Sequence, residues 1–355
     1  MDRDTVAIYE RRTDEYDAAR PPRRTEEAAA LARRSLPGLP VVDLGCGTGR
    51  HAPHLGPQVV ALDAAAAMVR KTVVRAPGAL PLQADLESLP FRPRSLGGAW
   101  ASMAYHHLPR ERLPVALAHL HWALAPGAPL ELTAAQGDYA GTALPDDDFP
   151  GRYFACWQPD GLAAVVHGAG FDVGSAEVEG HIVAVRATRG RTLPDTVGPG
   201  MRLLVCGLNP SIYSADRGHG FARPGNRFWP AMVAAGLVCP ERAHDPRHLL
   251  AAHGIGMTDL VKRATVASAE LSRQEYAAGL DRVARLVGWL RPGAVVFVGL
   301  EGWRAAADRR AVAGVQARGL GGVPVYVMPS TSGLNAHSRL PDLAEHLAAA
   351  AALAR

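Results

Sequence analysis

Val41-Val42-Asp43-Leu44-Gly45-Cys46-Gly47-Thr48-Gly49 decides the fold of the first half of the chain. A short apolar run ends in an acid and passes into a turn with glycine at alternate positions. The pattern predicts a buried strand over 40–44 and a loop whose backbone can approach a ligand, because Gly45, Gly47 and Gly49 tolerate dihedrals that other residues avoid. A helix following such a loop offers free N–H groups at its start. By itself the turn is ambiguous with a dinucleotide site. Working outward, apolar runs predict further strands at 58–62, 80–84, 97–102, 128–133 and 181–187, with helices at 25–35, 64–75, 111–124 and 159–169. Strands alternating with helices indicate a mostly parallel sheet covered on both faces.

A second strand-into-turn begins near residue 203. The same reasoning predicts strands at 202–206, 294–298 and 323–328, and helices at 226–236, 246–253, 272–290, 301–307 and 340–354. Between the halves lies ATRGRTLPDTVGPG (187–200), rich in Gly, Pro and Thr, which places a linker near 187–192. Two α/β domains are therefore expected, 1–187 and 188–355. A chain of 355 residues accommodates them, since single cores stop growing near ~250–300 residues.

Composition narrows the class. The chain is 48% hydrophobic and 20% charged, which argues against disorder. No apolar stretch reaches ~18 residues, so no membrane span is expected. The N-terminus MDRDTVAIYERRTDEYD is too charged for a signal peptide. Cys46, Cys156, Cys206 and Cys239 are far apart with no C-x-x-C pair, which argues against a zinc knuckle or an iron–sulfur cluster and fits a reduced, cytoplasmic, nucleoid-associated setting. Residues 1–199 hold 20 Lys+Arg and 23 Asp+Glu, net −3, whereas residues 200–355 hold 18 and 11, net +7. The basic half is the one expected to meet a polyanion.

In the first half, Asp63 ends VVALD about twenty residues after the glycine loop, where an acid accepts from ribose hydroxyls. Asp85 follows in LQADLESLPF, then WASMAYHHLP (100–109) and LAPGAPLEL (124–132). Over roughly residues 8–187 this series resembles the class I S-adenosylmethionine (SAM)-dependent methyltransferases of the small-molecule type. The resemblance implies a Rossmann-like sheet and SAM held by Asp43, Gly45, Gly47, Gly49, Asp63 and Asp85. Tyr9 and Tyr16 suit either packing or closure over the cofactor, and His106 and His107 either a loop or a substrate contact. No (Asp/Asn)-Pro-Pro-(Tyr/Phe) stands at SMAYHH and no Pro-Cys motif is present, so DNA base methylation of those kinds is not expected. The methyl acceptor stays open.

In the second half, GLNPSIYSADRGHGFARPGNRFW (207–229), GIGMTDLVKRATVASAELS (254–272) and PSTSGLN (329–335) follow in order. From about Leu193 to Ala354 they resemble the mismatch-specific uracil/thymine-DNA glycosylases. The resemblance implies an α/β glycosylase domain acting on a mismatched or damaged base in double-stranded DNA. It makes Asn209 the residue that positions water, and Phe221 with Ser211 and Ser214 the base pocket. Ser330, Ser332, Gly333, Leu334 and Asn335 become the loop that wedges the stack and grips phosphates. Asn cannot take a proton, so slow chemistry is expected, with no metal and no cofactor. No Lys matches a Schiff-base position.

Two departures stand out: Ser211 where many relatives have Gly, and Ala336 where they often have Arg. Thr258, Asp259 and Arg263 are read as structural, His219 and Asp216 as loop residues, and Asn226 and Arg227 as a helix start that caps or forms a surface ion pair as readily as it meets DNA. A rival reading makes methyl transfer the main activity, with the second half only binding DNA.

Overall fold

The computed structural model describes residues 2–21, 23–145 and 147–354. It divides into two compact units, Met1–Gly190 and Arg191–Arg355.

In the first unit, β1 (Val41–Leu44) is buried along its whole length, as an apolar run covered on both faces must be. It pairs in parallel with β2 (Val59–Asp63) on one side and β4 (Gly98–Ser102) on the other, Val41 facing both Val59 and Gly98. β3 (Leu80–Gln83) extends the sheet beyond β2, and β5 (Pro129–Ala135) beyond β4, both in parallel. A two-strand ladder, β6 (Ala140–Gly141) with β7 (Phe154–Ala155), lies apart from this sheet. Antiparallel strands β8 (Phe171–Glu179) and β9 (Ile182–Arg189) complete the order β3-β2-β1-β4-β5-β9-β8. Strand order reverses at β1, and ligands of open α/β sheets bind at such a point, outside the carboxyl ends of the strands. Strand β8 was not expected from sequence; FDVGSAEVE lies at the sheet edge, largely solvent-facing, and carries too few apolar residues to read as a strand. Helices Arg3–Arg11 and Thr13–Ala19 were also missed.

The second unit is a five-stranded sheet of order β11-β10-β12-β14-β13. Its members are β10 (Leu203–Gly207), β11 (Ile255–Asp259), β12 (Ala294–Val298), β13 (Gly314–Val315) and β14 (Val325–Met328). All but β13 run parallel. Phe228, Trp229, Met232, Leu343 and Leu347 pack one face, and Val283, Val287, Phe297 and Trp303 the other. The order turns at β10, which puts Gly207, Leu208 and Asn209 at this sheet's crevice.

The two units divide at Gly190/Arg191, inside the segment 187–192 expected as a linker, and little of the chain on either side of that point is free. β9 runs on to Arg189, and Thr192, Leu193, Asp195, Thr196 and Val197 are buried in the second unit. Asp195 is the reason. Its carboxylate accepts from Lys262 Nζ (2.9 Å), Arg282 Nη1 (2.6 Å) and Thr258 Oγ1 (2.7 Å). Burial pushes its pKa up, but Arg282 and Lys262 more than offset this and leave it below the usual value. The ion cluster at Asp195 thus fixes the chain just after the linker.

Candidate active sites

The glycine loop closes tightly against the rest of the first unit. Gly45 and Gly49 take φ of +67° and +78°. A Cβ on Gly45 would fall 2.5 Å from Ala104 Cβ, and one on Gly49 2.8 Å from Thr72. Gly49 is therefore packed against its own unit rather than facing the pocket. The pocket is lined by Gly45, Gly47, Asp63, Ala64, Met68, Leu86, Ser102, Met103, Ala104 and His107, with Tyr9 and Tyr16 above it. The arm bearing the tyrosines is pinned by Asp17, which accepts from Thr48 Oγ1 (2.7 Å), Arg50 Nη2 (2.8 Å) and Arg75 Nη2 (3.0 Å).

Two carboxylates serve this pocket differently. Asp63 accepts from Gly47 N (3.0 Å) and Ala65 N (2.9 Å), and burial lifts its pKa to about 6. Asp43 Oδ2 is buried without a hydrogen-bond partner, and burial reinforced by the charge of Asp63 lifts Asp43 to about 8. A buried acceptor without a donor is costly. A ligand bringing an ammonium or hydroxyl to the loop relieves that cost, so the residues fit a cofactor such as SAM. Asp85 does not belong to the group. It lies past the end of β3, exposed, with Oδ1 accepting from Glu87 N, and Leu86 lines the pocket instead.

His106 and His107 are not simple loop residues. Both are buried in a turn directly after β4. His107 Nδ1 lies 2.6 Å from Tyr153 O, which can only accept, so Nδ1 carries the proton. Ala135 N donates to His106 Nδ1, which leaves the proton of neutral His106 on Nε2, 3.1 Å from His107 Nε2. Tyr9 Oη lies 2.8 Å from the same His107 Nε2 and accepts from Arg152 Nη1 (2.7 Å). Burial holds His107 down to about 4, so the ring is neutral and its Nε2 lone pair is the acceptor of the cluster.

In the second unit, residues 207–212 are zipped to 260–265 by backbone bonds such as Leu260 N to Gly207 O (2.8 Å), Val261 N to Leu208 O (2.9 Å) and Thr265 N to Pro210 O (3.1 Å). Asn209 sits in this seam. Its Nδ2 donates to Thr265 Oγ1 (2.8 Å), Arg263 O (3.0 Å) and Pro210 O (3.2 Å). Two of these partners can only accept, which fixes this end of the amide as nitrogen. Among the described residues nothing donates to Oδ1.

Beside this seam is a pocket lined by Leu193, Pro194, Thr196, Gly218, His219, Gly220, Phe221, Pro246, Met257, Thr258 and Asp259. Phe221 adopts φ +58° and stacks on Phe228 at 3.9 Å between ring centroids. A Cβ on Gly207 would fall 2.5 Å from Asp259 Oδ1 and 3.4 Å from Phe221 Cζ, so the missing side chain is what lets acid and ring meet at the end of β10. Burial raises Asp259 to about 6, Lys262 and Arg282 pulling down and Asp195 pushing up. No hydrogen bond reaches its carboxylate among the described residues.

Leu334 is 92% exposed, although it is a large apolar residue. Its loop is locked from within. Asn335 Nδ2 donates to Ser330 O (2.7 Å), and the oxygens Ser330 Oγ and Ser332 Oγ accept from Ser332 N and Leu334 N (3.3 Å each). Arg227 Nη2 donates to Ser332 O (2.9 Å) and Asn335 O (2.7 Å), and Nη1 to Ser338 O. Gly333 is close enough to Gly225 O that a Cβ would fall at 3.1 Å.

Residues 194–354 match the uracil DNA glycosylase superfamily, and residues 41–127 match a methyltransferase domain family. The chain joins a methyltransferase domain to a uracil DNA glycosylase superfamily domain. Solved structures similar to it include the DhpI–SAH complex (22% identity, 52% of this chain and 95% of that one, TM-score 0.42). A SAM-dependent methyltransferase from Mesorhizobium loti matches at 21% identity over 46% of this chain and 100% of that one, TM-score 0.38. The putative methyltransferase of Haloferax volcanii, in complex with the Trm112 methyltransferase activator, matches at 16% over 53% and 97%, TM-score 0.43.

In the methyltransferase domain Gly45, Gly47 and Asp63 line the pocket, while Asp43, buried with Oδ2 unpartnered, Gly49 and Asp85 lie outside its lining. In the glycosylase-superfamily domain Phe221 lines a pocket, and Asn209, held by Thr265 in the neighbouring seam, is not among its lining residues. Ser211 and Ser214 are taken up locally instead. Ser211 caps the helix Ile212–Arg217 by accepting from Ser214 N (3.1 Å), and buried Ser214 Oγ accepts from Ala222 N (3.3 Å). From the sequence Asp259 reads as structural, and Arg227 as a helix start that caps or pairs as readily as it meets DNA. Their sequence neighbourhoods suit a strand end and a helix start, and only residues far along the chain give them a role.

Proposed function

We propose that the glycosylase-superfamily domain hydrolyses the N-glycosidic bond of uracil, or of mismatched thymine or ethenocytosine, in double-stranded DNA and leaves an abasic site. The observation that carries this reading is the Asn209 amide, anchored through Nδ2 by three acceptors with Oδ1 left to hold a water. The base must be flipped out of the stack to be reached. Phe221 offers it a flat face, and the bond breaks as charge moves from an oxocarbenium-like sugar onto the base. Asp259 lines the same pocket, and burial raises its pKa to about 6, so in this reading its protonated form, favoured as pH falls, donates to a base oxygen. The chain has only two lysines, and Lys262 of this domain is locked to Asp195 at 2.9 Å. Strand cleavage through a Schiff base is accordingly not part of the reading.

The test is single-turnover incubation with G·U, G·T and ethenocytosine duplexes, then alkali, with and without SAM. Alkali-labile product from G·U is expected. Its absence from every duplex overturns the proposal. Duplex affinity should also fall steeply with salt, because the +7 half gives phosphate contacts that release counterions. A flat plot of log affinity against log salt would contradict that charge argument.

For the other domain we propose transfer of a methyl group from SAM to a small-molecule acceptor. SAM supplies an electrophilic methyl group when bound. In this reading the unpartnered Asp43 Oδ2 accepts from its ammonium, directly or through the glycine loop, and Asp63 holds ribose hydroxyls while it keeps the Gly47 and Ala65 amides. His107, held neutral with Nε2 facing Tyr9 Oη, lines the pocket and orients the Tyr9 hydroxyl there. Isothermal titration should show SAM binding to the wild-type protein. Asp63→Ala should weaken it by on the order of 10-fold to 100-fold, the worth of hydrogen bonds to a charged group. Folded wild-type protein that gives no heat with SAM refutes the assignment.

A further inference from the structure

Cys239, His248 and His253 bring a thiol and two imidazoles together on the glycosylase-superfamily domain, with one donor atom of each within 4.8 Å of the others. From this geometry we infer a binding site for a divalent transition ion of the zinc class, independent of the catalytic reading above. Cys239 precedes the short turn Pro240–Arg242 and is exposed. His248 and His253 come from the helix Pro246–His253, which Gly254 ends in the left-handed conformation. The two rings meet edge to face with centroids 5.7 Å apart.

A second observation points to the same ligand. His253 Nε2 is buried and has no hydrogen-bond partner. An imidazole nitrogen in that condition is either a wasted donor or an acceptor waiting for a cation. The backbone around it is well anchored. His253 O accepts from Arg202 Nε (2.8 Å), and Asp245 Oδ1 caps the helix start by accepting from Arg247 N and His248 N. The ligands thus hang from a fixed helix and a fixed turn.

The donor set chooses the ion. Two nitrogens and a sulfur, without a carboxylate oxygen, suit zinc or cobalt and not calcium or magnesium. Arg242 and Arg247, both paired with Asp245, add positive charge nearby. A neutral triad would bind a dication poorly there, so the Cys239 thiol has to give up its proton, as thiols do on zinc. Bonds of about 2.1 Å to nitrogen and 2.3 Å to sulfur set tetrahedral ligands roughly 3.5 Å apart. Side-chain rotations of an exposed Cys and two half-buried His close the remaining distance. A water would complete the fourth position.

Such an ion would staple the turn at Cys239 to the helix that starts at Pro246, and Pro246 lines the Phe221 pocket. The site went unseen in the sequence because the cysteines were read only against each other. Its spacing, Cys-x8-His-x4-His, is not a zinc-finger pattern.

The experiment uses the full chain, stripped with chelator and titrated with Co²⁺ and then Zn²⁺. One Co²⁺ per chain is expected, with thiolate-to-cobalt charge-transfer absorption that Zn²⁺ removes. Cys239→Ser should abolish that absorption. His248→Ala and His253→Ala should each weaken binding by about tenfold or more. Zn²⁺ should raise the melting temperature of the wild type only. Cys239→Ser is exposed and should fold, as far-UV circular dichroism will check, so it decides the matter should a histidine variant fail to fold. Substoichiometric binding by the wild type, or binding unchanged in Cys239→Ser, overturns the site.

Discussion

Asn209→Ala is expected to slow single-turnover excision from a G·U duplex by on the order of 10²-fold or more, the range seen when one polar transition-state contact is removed. The amide is held at one end by Thr265 Oγ1, Arg263 O and Pro210 O. Its other end therefore has a fixed position, and fixed placement of a water supplies a large part of the barrier reduction. Folding should change little, because Asn209 packs little apolar surface, and duplex affinity should persist, because phosphate contacts lie elsewhere. Asn209→Asp separates two effects. A carboxylate can accept the water's proton. Yet one of its oxygens would take the place of Nδ2 and face two carbonyls that only accept, leaving the Thr265 hydroxyl as the single donor there. The Asp variant should therefore exceed Asn209→Ala and fall short of the wild type at neutral pH. Wild-type speed in Asn209→Ala would reduce Asn209 to a turn residue.

What could be read from the sequence was local. Strand β1 and the glycine loop are a contiguous run whose burial and dihedrals follow from its own residues. Leu334 reads as a projecting residue only through the resemblance of Pro-Ser-Thr-Ser-Gly-Leu-Asn to the glycosylase wedge loop. Features set by partners distant in the chain could not be read. Asp195, Lys262 and Arg282 make a loop-like segment into core, and the carboxylate of Asp259 meets Phe221 only because Gly207 lacks a side chain. Ser211 and Ser214 show a different limit. Small polar residues near a site read as ligand contacts, yet their hydroxyls are satisfied within the chain, one of them as a helix cap. Asp85 likewise sits two residues beyond the end of β3, exposed and outside the pocket lining, which a strand read from its apolar run does not reveal.

Leu334→Ala should lower excision from duplex DNA by about 10-fold to 100-fold and leave excision from single strands almost unchanged. Filling the space of a flipped base buries a leucine side chain, worth about 1.5–3 kcal/mol, which corresponds to that range. A single strand has no stack to hold open, so the term vanishes there. The wedge works only if it is held, because a mobile leucine loses the gain to ordering entropy when it inserts. Arg227 supplies the hold through its bonds to Ser332 O, Asn335 O and Ser338 O. Arg227→Met keeps much of the apolar stem and removes all three donors. It should reproduce the duplex-selective loss and also speed amide hydrogen exchange across residues 330–338. Asn209 lies on another loop, so single-strand excision should survive in both variants. A loss of equal size on duplex and single strand would mean that Leu334 and Arg227 support the domain as a whole and that the exposed leucine is not a wedge.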